Sequence, residues 1–499
     1  MKKRAWIFIL IPFLLFYALP VGAAEKEDRK WQDESIYFLM VDRFNNGDLG
    51  NDNQVDVKDP DAYHGGDFQG IIDKLDYIKD MGFTSIWLNS IFDNEDKGYH
   101  GKWVQDFYKT EEHFGTMDEF KKLVKEAHNR DMKVLFDFEV IQVGPNHSFL
   151  TEPEKKDWFR EQKGDELPKL NQENPEVKNY LIDAAKWWIE ETNIDGYYLE
   201  DVDKAPDDFT REFAKEVKSA KNNFYLLGDL QAHDSEKVAQ FQELGMDGLL
   251  DVPLAEKIRP VFDQVDNSLN DLVANKEYLM SIYKDPFLMG SVVDNRNMAR
   301  FTHAAITKNQ HPGPRWKLAL TYLYTTPGIP IVYYGSEIAL EGGGGADNHG
   351  QMDFRTDKEL IDYITKLGEL RAAFPSLTRG SLELLAEENE MSVYKRTYEE
   401  ETTVIAINNS SGSQNITIDA NVLEDDRELR GLITDDLVKS RNGQYTLFLD
   451  REEAEVYVLS DRSGINIPFV IATIVVYGAF LTFIYLIWSR SRKRKASKK

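Results

Sequence analysis

Short apolar segments followed by longer amphipathic stretches recur between residues 36 and 334, and this alternation constrains the fold more than any other feature of the chain. The strand candidates cover residues 36–41, 83–88, 133–140, 194–199, 224–227, 248–252, 288–293 and 329–334. Their apolar residues run almost continuously instead of alternating, as expected of a parallel sheet covered on both faces. Helical periodicity fills the intervening stretches, for example 68–81, 117–130 and 177–191. Eight such alternations predict an α/β chain with a (β/α)8 TIM barrel over residues 25–375. Polar residues stand just past the strand candidates, as at Asp42, Asp137, Glu200, Asp229, Asp251 and Asn295. That is the barrel end where active sites are built. Beyond residue 375 the pattern changes to short alternating strands at 392–396, 402–407, 414–418, 444–449 and 455–459. Residues 376–460 are therefore expected to form a small C-terminal antiparallel β-domain.

The two ends differ from this body. Residues 1–24 begin with Lys2, Lys3 and Arg4, continue through an apolar run and reach the small-residue stretch Val21-Gly22-Ala23-Ala24. That layout predicts a secretory signal peptide. Residues 465–488 carry no charge and are followed by Arg490, Arg492, Lys493, Arg494, Lys495, Lys498 and Lys499. An uncharged span with a basic flank predicts a transmembrane helix at 465–488 and a basic cytoplasmic tail at 489–499. Together the ends imply a single-pass protein of the cell membrane with its body outside.

Acidic residues number 86 against 60 Lys and Arg, a net charge of −26. Such a surface excludes nucleic acid as a partner and suits a neutral substrate or cations. The chain has no cysteine. No disulfide supports an exported body of this kind, so packing and any bound metal must hold it.

Several blocks, in a fixed order, resemble the α-amylase superfamily of glycoside hydrolases over roughly residues 30–460. Asp42-Arg43-Phe44 with Asn46-Gly47-Asp48 is similar to the family's first strand and loop, and Tyr63-His64-Gly65-Gly66-Asp67 to its second block. Gly98-Tyr99-His100-Gly101 with Trp103, Asp106-Phe107 and His113-Phe114-Gly115-Thr116 resembles the loop that enters the site. Thr326-Pro327-Gly328-Ile329-Pro330, Tyr333-Tyr334-Gly335-Ser336-Glu337 and Met352-Asp353 resemble the eighth strand and its sequel.

The resemblance implies a carboxylate nucleophile, a carboxylic acid, a third carboxylate, an arginine beside the nucleophile and sugar-binding histidines. Residue by residue, those positions are changed. The fourth strand, Gly-Phe-Arg-Leu-Asp in the family, reads Gly196-Tyr197-Tyr198-Leu199-Glu200, so Tyr198 replaces the arginine and Glu200 the nucleophile. Asp229 stands for the acid glutamate, and Arg296-Asn297 for the His-Asp of the seventh strand. Ile141-Gln142 replaces an Asn-His pair, and Lys102 the tyrosine that stacks on the sugar. Loss of the arginine is expected to leave Glu200 without a supporting cation. Lys102 and Arg296 are expected to oppose a cation-like transition state.

The leading expectation is therefore a membrane-anchored pseudoenzyme that binds carbohydrate or a membrane-protein partner. The alternative is an active retaining glycosidase or transglycosidase on α-glucan with Glu200 and Asp229 as the catalytic pair. In either case the cleft is expected to use His100, Lys102, Trp103, Gln142, Tyr198, Arg296 and Asn297. The resemblance also implies a structural calcium ion (Ca2+) at Asn46, Asp48, Asn51, Asp52, Gly65 and Asp67, an oxygen-rich set suited to that ion.

Overall fold

The computed structural model describes residues 29–161, 164, 166–231, 235–462 and 467–496; the expected signal peptide lies outside them. Eight parallel strands form the central sheet: β1 (Ile36–Leu39), β2 (Ser85–Leu88), β3 (Lys133–Asp137), β4 (Gly196–Leu199), β5 (Tyr225–Gly228), β6 (Gly248–Leu249), β7 (Gly290–Val292) and β8 (Ile329–Tyr333). Hydrogen bonding runs from β6 through β5, β4, β3, β2, β1 and β8 to β7. A parallel bridge between Leu250 and Gly290 joins the last two neighbours and closes the ring. The expected TIM barrel is thus present.

All four residues of β1, β2, β4 and β5 are buried, which explains why their sequences do not alternate. Several strands are shorter than expected. Val41 opens the short helix Val41–Phe44, and Phe138 to Val140 already belong to a loop. Helices with sequence-encoded starts pack outside the sheet. Asp67 caps Phe68–Asp80, a Thr116–Glu119 capping box opens Met117–Asn129, and Asn174 followed by Pro175 starts Pro175–Thr192.

Within the barrel, aromatic rings fill the layer beneath the C-terminal mouth. Phe38 stacks on Trp87 at 3.9 Å between centroids, and Tyr198 and Tyr333 flank the pair at 4.4 and 5.0 Å. Between β2 and β3 the chain inserts an antiparallel pair, Phe92–Asn94 with Val104–Thr110. Its loop carries His100, Lys102 and Trp103 to the mouth.

The C-terminal β-domain has a six-stranded sheet and a separate two-stranded ribbon, Gln414–Asp419 with Gln444–Leu449. Sequence alternation misses three of its strands. Ser381–Glu388 has a register irregularity between Leu384 and Ala386 that breaks the period of two. Arg427–Gly431 and Leu437–Lys439 are masked by charge, because buried Glu428 is paired with Arg430 and Lys439. Two buried arginines tie this domain to the barrel: Arg396 donates to the carbonyls of Thr325 and Gly380, and Arg315 bonds Asn409 at 2.6 Å.

A helix follows over Ile467–Ala496. Among the described residues, no helix is long and apolar enough to cross a membrane. This corrects the expected transmembrane span at 465–488, and the single-pass placement and membrane embedding that rested on it.

Arg371 shows how buried polar groups lock the lower end of the barrel. It is 3% exposed and donates to the carbonyls of Gln32, Tyr324, Gly328 and Leu377. Arg371→Met leaves these acceptors unpaired and is expected to cost about 3 kcal/mol of stability, read as a lower midpoint in urea denaturation.

Candidate functional site

Glu200 and Asp229 occupy adjacent positions at the barrel mouth, each one residue beyond its strand, β4 and β5. Parallel pairing fixes this placement: Leu199 is in register with Gly228, and Asp229 N–H donates to the Leu199 carbonyl at 3.1 Å. The Asp229 carboxyl in turn accepts the Asp201 N–H at 2.7 Å. Asp201 holds a left-handed φ of 54°, so the chain turns sharply right after Glu200.

Three donors converge on Glu200. Lys102 Nζ lies 2.8 Å from Oε1, and Asn297 Nδ2 donates to the same oxygen at 3.0 Å. Arg296 Nη2 reaches Oε2 at 3.1 Å while its Nη1 pairs with Asp137. Trp87 Nε1 completes the Asp137 shell at 2.6 Å. Arg296 is 6% exposed and its guanidinium lies above the rings of Phe38 and Tyr198. His349 Nε2, 3.1 Å from the Arg296 carbonyl, and its Nδ1, 3.0 Å from the Tyr99 hydroxyl, anchor that loop.

The two carboxyls are driven in opposite directions. Burial raises Glu200, but the charges of Arg296 and Lys102 and the bonds from Lys102 and Asn297 outweigh it and hold the group well below the usual carboxylate range. Burial and the negative charge of Glu200 push Asp229 up to about 7. The expectation that Glu200 loses its cation is therefore corrected. The guanidinium missing at Tyr198 is supplied from the loop after β7, and Asp137 balances its charge. Tyr198 itself is a packing residue, fully buried against Trp87.

The other expected cleft residues divide into two groups. His100 and Lys102 line a small pocket with Ser90, Asp137, Glu139, Glu200 and Arg296. Burial and nearby Lys102 lower His100 to about 3, so it is neutral; its Nδ1 accepts the Lys102 N–H at 3.0 Å. Trp103 stands edge-on to His100 at 4.9 Å, as a support of the wall. Gln142 lies apart, in a bridge to Lys169. Sequence reasoning missed Glu139, Ser90 and His349. A carboxylate two residues past Asp137 on the same strand end was the one readable signal for Glu139.

Around the first loop, Asn46 Nδ2 donates to Asp52 at 2.8 Å, and Gly65 packs so closely that an added Cβ would fall 2.6 Å from Asn46 Nδ2 and 2.7 Å from Asp52 Oδ1. Asn46 Oδ1 and Asn51 Oδ1 are buried acceptors with no partner. Asp67 is already committed: it accepts N–H groups from Gly47, Asp48 and Gly70. Asp48 caps the turn at Gly50. Among the described residues, no group of three or more His, Cys, Asp or Glu is placed to hold a metal. Any ion here would thus rely on the Asp52 carboxylate together with amide and carbonyl oxygens, a donor set that suits calcium.

The chain matches the α-amylase catalytic domain over residues 38–165 and 147–366, and the α-amylase C-terminal domain over 380–457. It belongs to the α-amylase family. Similar solved structures include an Anoxybacillus α-amylase, 56% identical, with a TM-score of 0.86 over 88% of this chain and 100% of that one. A Geobacillus thermoleovorans α-amylase complexed with acarbose is 50% identical, with a TM-score of 0.85 over 87% of this chain and 100% of that one. A β/α-amylase of Paenibacillus polymyxa is 34% identical over 86% of this chain, which spans 38% of that protein's length. A maltogenic α-amylase of Bacillus acidopullulyticus is 27% identical over 83% of this chain and 76% of its own length.

These relatives carry the names of active enzymes, and the barrel mouth retains a cation-supported carboxylate, Glu200, one strand over from Asp229, whose proton affinity is raised. The expected membrane-anchored pseudoenzyme is corrected on both counts.

Removing the guanidinium tests the network. Arg296→Met leaves Asp137 without its counter-charge and Glu200 with Lys102 alone, and is expected to cost about 3–5 kcal/mol of stability. Chemical denaturation at neutral pH measures it, and a loss below about 1 kcal/mol contradicts the charge balance described above.

Proposed function

We propose that this α-amylase-family chain is a retaining glycosidase acting on α-glucans, a divergent member in which Glu200 is the nucleophile and Asp229 the general acid and base. One observation carries this reading. Two neighbouring carboxyls at the barrel mouth have environments that split their proton affinities, one kept ionised by cations and the other drawn toward its protonated form by burial and the Glu200 charge. A retaining mechanism needs that pair of states.

In this reading Glu200 attacks the anomeric carbon and forms a glycosyl ester. Asp229 gives its proton to the departing oxygen, which leaves as a free hydroxyl. Asp229, now ionised, then takes a proton from the water that cleaves the ester, restoring both groups. The extra methylene of Glu200 and the one fewer of Asp229, relative to the family's Asp and Glu, shift reach from one partner to the other. Lys102, whose side chain is 29% exposed, covers Glu200 Oε1 when no sugar is bound and has room to swing aside. Similarity to an α-amylase complexed with acarbose supports an α-glucan-like ligand.

Release of the leaving group from an activated α-glucoside by the full chain tests this. Glu200→Gln and Asp229→Asn are each expected to lower kcat by about 10²–10⁴-fold. No release by the unaltered chain sinks the proposal. The pH profile gives a second check. A general acid raised to about 7 is protonated below that value, so kcat/KM is expected to fall as pH rises through about 7. A profile flat from pH 5 to 9 contradicts the role given to Asp229.

Calcium fits the first loop as a structural ion, held by Asn46, Asn51, Asp52 and the Gly65 carbonyl. The two buried amide oxygens without partners support this. Bound there, the ion would tie the loops after β1 and β2 in a chain without disulfides. Calcium at a hundredfold excess over Kd is expected to add about 2.7 kcal/mol of stability. Equal melting temperatures in calcium and in a chelator would sink that expectation.

A further inference from the structure

Three carboxyls line the pocket, Asp137, Glu139 and Glu200, and two of them are committed through both oxygens. Asp137 is held by Arg296 and Trp87, and Glu200 by Lys102, Arg296 and Asn297. Glu139 differs. Its Oε1 accepts the N–H groups of Ile141 at 2.7 Å and Gln142 at 3.2 Å, which fixes the carboxyl in orientation. The side chain is 8% exposed and lines the same pocket as Glu200, and none of its hydrogen bonds is made through Oε2. A carboxyl anchored by one oxygen, with the other left open to a cleft, is built to hold a ligand hydroxyl.

We propose that Glu139 is a substrate-binding residue, whose Oε2 accepts a hydrogen bond from a ring hydroxyl of the sugar seated against Glu200. This inference rests on the glycosidase reading above. Asn297 cannot supply the same contact with charge, because it is a neutral amide whose Nδ2 is spent on Glu200. Glu139 stands in the loop two residues beyond β3, where the bonds from the Ile141 and Gln142 N–H groups hold its carboxyl in place. Burial and the Glu200 charge raise Glu139 to about 7.

Glu139→Gln keeps an oxygen for the Ile141 and Gln142 N–H groups, so the local fold is expected to survive; unchanged thermal melting checks this. The experiment compares the full chain and this variant on an activated α-glucoside and on its 2-, 3- and 6-deoxy analogues. The variant is expected to lose about tenfold to a hundredfold in kcat/KM on the parent glucoside. On the one deoxy analogue that lacks the contacted hydroxyl, it is expected to lose less than twofold, as a double-mutant cycle requires. Equal losses on all four substrates mean a structural role, and no loss on any means no role; either overturns the proposal while leaving the glycosidase reading intact. Absence of turnover by the unaltered chain overturns both. Should Glu139→Gln melt early, Glu139→Asp serves instead, with the same selective loss expected.

Discussion

Arg296 touches two carboxylates from different strands, Asp137 at the end of β3 and Glu200 beyond β4, and the order of the barrel mouth follows from that bridge. A buried guanidinium is tolerated only when its charge is met and its fork of donors is filled. Here both conditions are satisfied by the groups that shape the pocket. Asp137 is oriented by Trp87, whose ring is part of the aromatic layer on which Arg296 rests. Charge, ring packing and strand register therefore hold one another in place.

The consequence for chemistry is that a cation need not come from β4 to keep a carboxylate on β4 ionised. An electrostatic requirement fixes charge and distance, not the strand of origin. Tyr198 uses its freed position to pack against Trp87, and the loop after β7 brings the replacement charge from across the barrel. Asp229 receives no such cation, and burial together with the Glu200 charge raises its proton affinity.

Much of the fold was legible because it depends on periodicity. Buried parallel strands must be continuously apolar and covering helices must be amphipathic, so β1 to β8 announced themselves. The C-terminal strand Arg427–Gly431 did not, since pairing of Glu428 with Arg430 and Lys439 happens across space and leaves only charges in the sequence. Positions in the site were legible in the same partial way. Family blocks placed Glu200, Asp229, Lys102 and Arg296 at the mouth, yet residue types alone suggested that two added cations would disrupt it. Only the fold shows Lys102 and Arg296 to be partners of Glu200. The uncharged run at 465–488 was read as a membrane span from composition alone, and among the described residues no helix is long and apolar enough to cross a membrane.

Closure of the barrel has a mechanical side. β6 is two residues long, and β6 and β7 meet through the single bridge between Leu250 and Gly290, whereas β1 and β2 pair over four positions. The cylinder is thus thinnest at one join, where that bridge and the bond from Asp251 N–H to the Gly290 carbonyl at 2.8 Å link the two strands. The loop bearing Arg296 and Asn297 leaves from β7, one edge of this join. Two of the three donors that grip Glu200 therefore hang from the least-paired edge of the barrel.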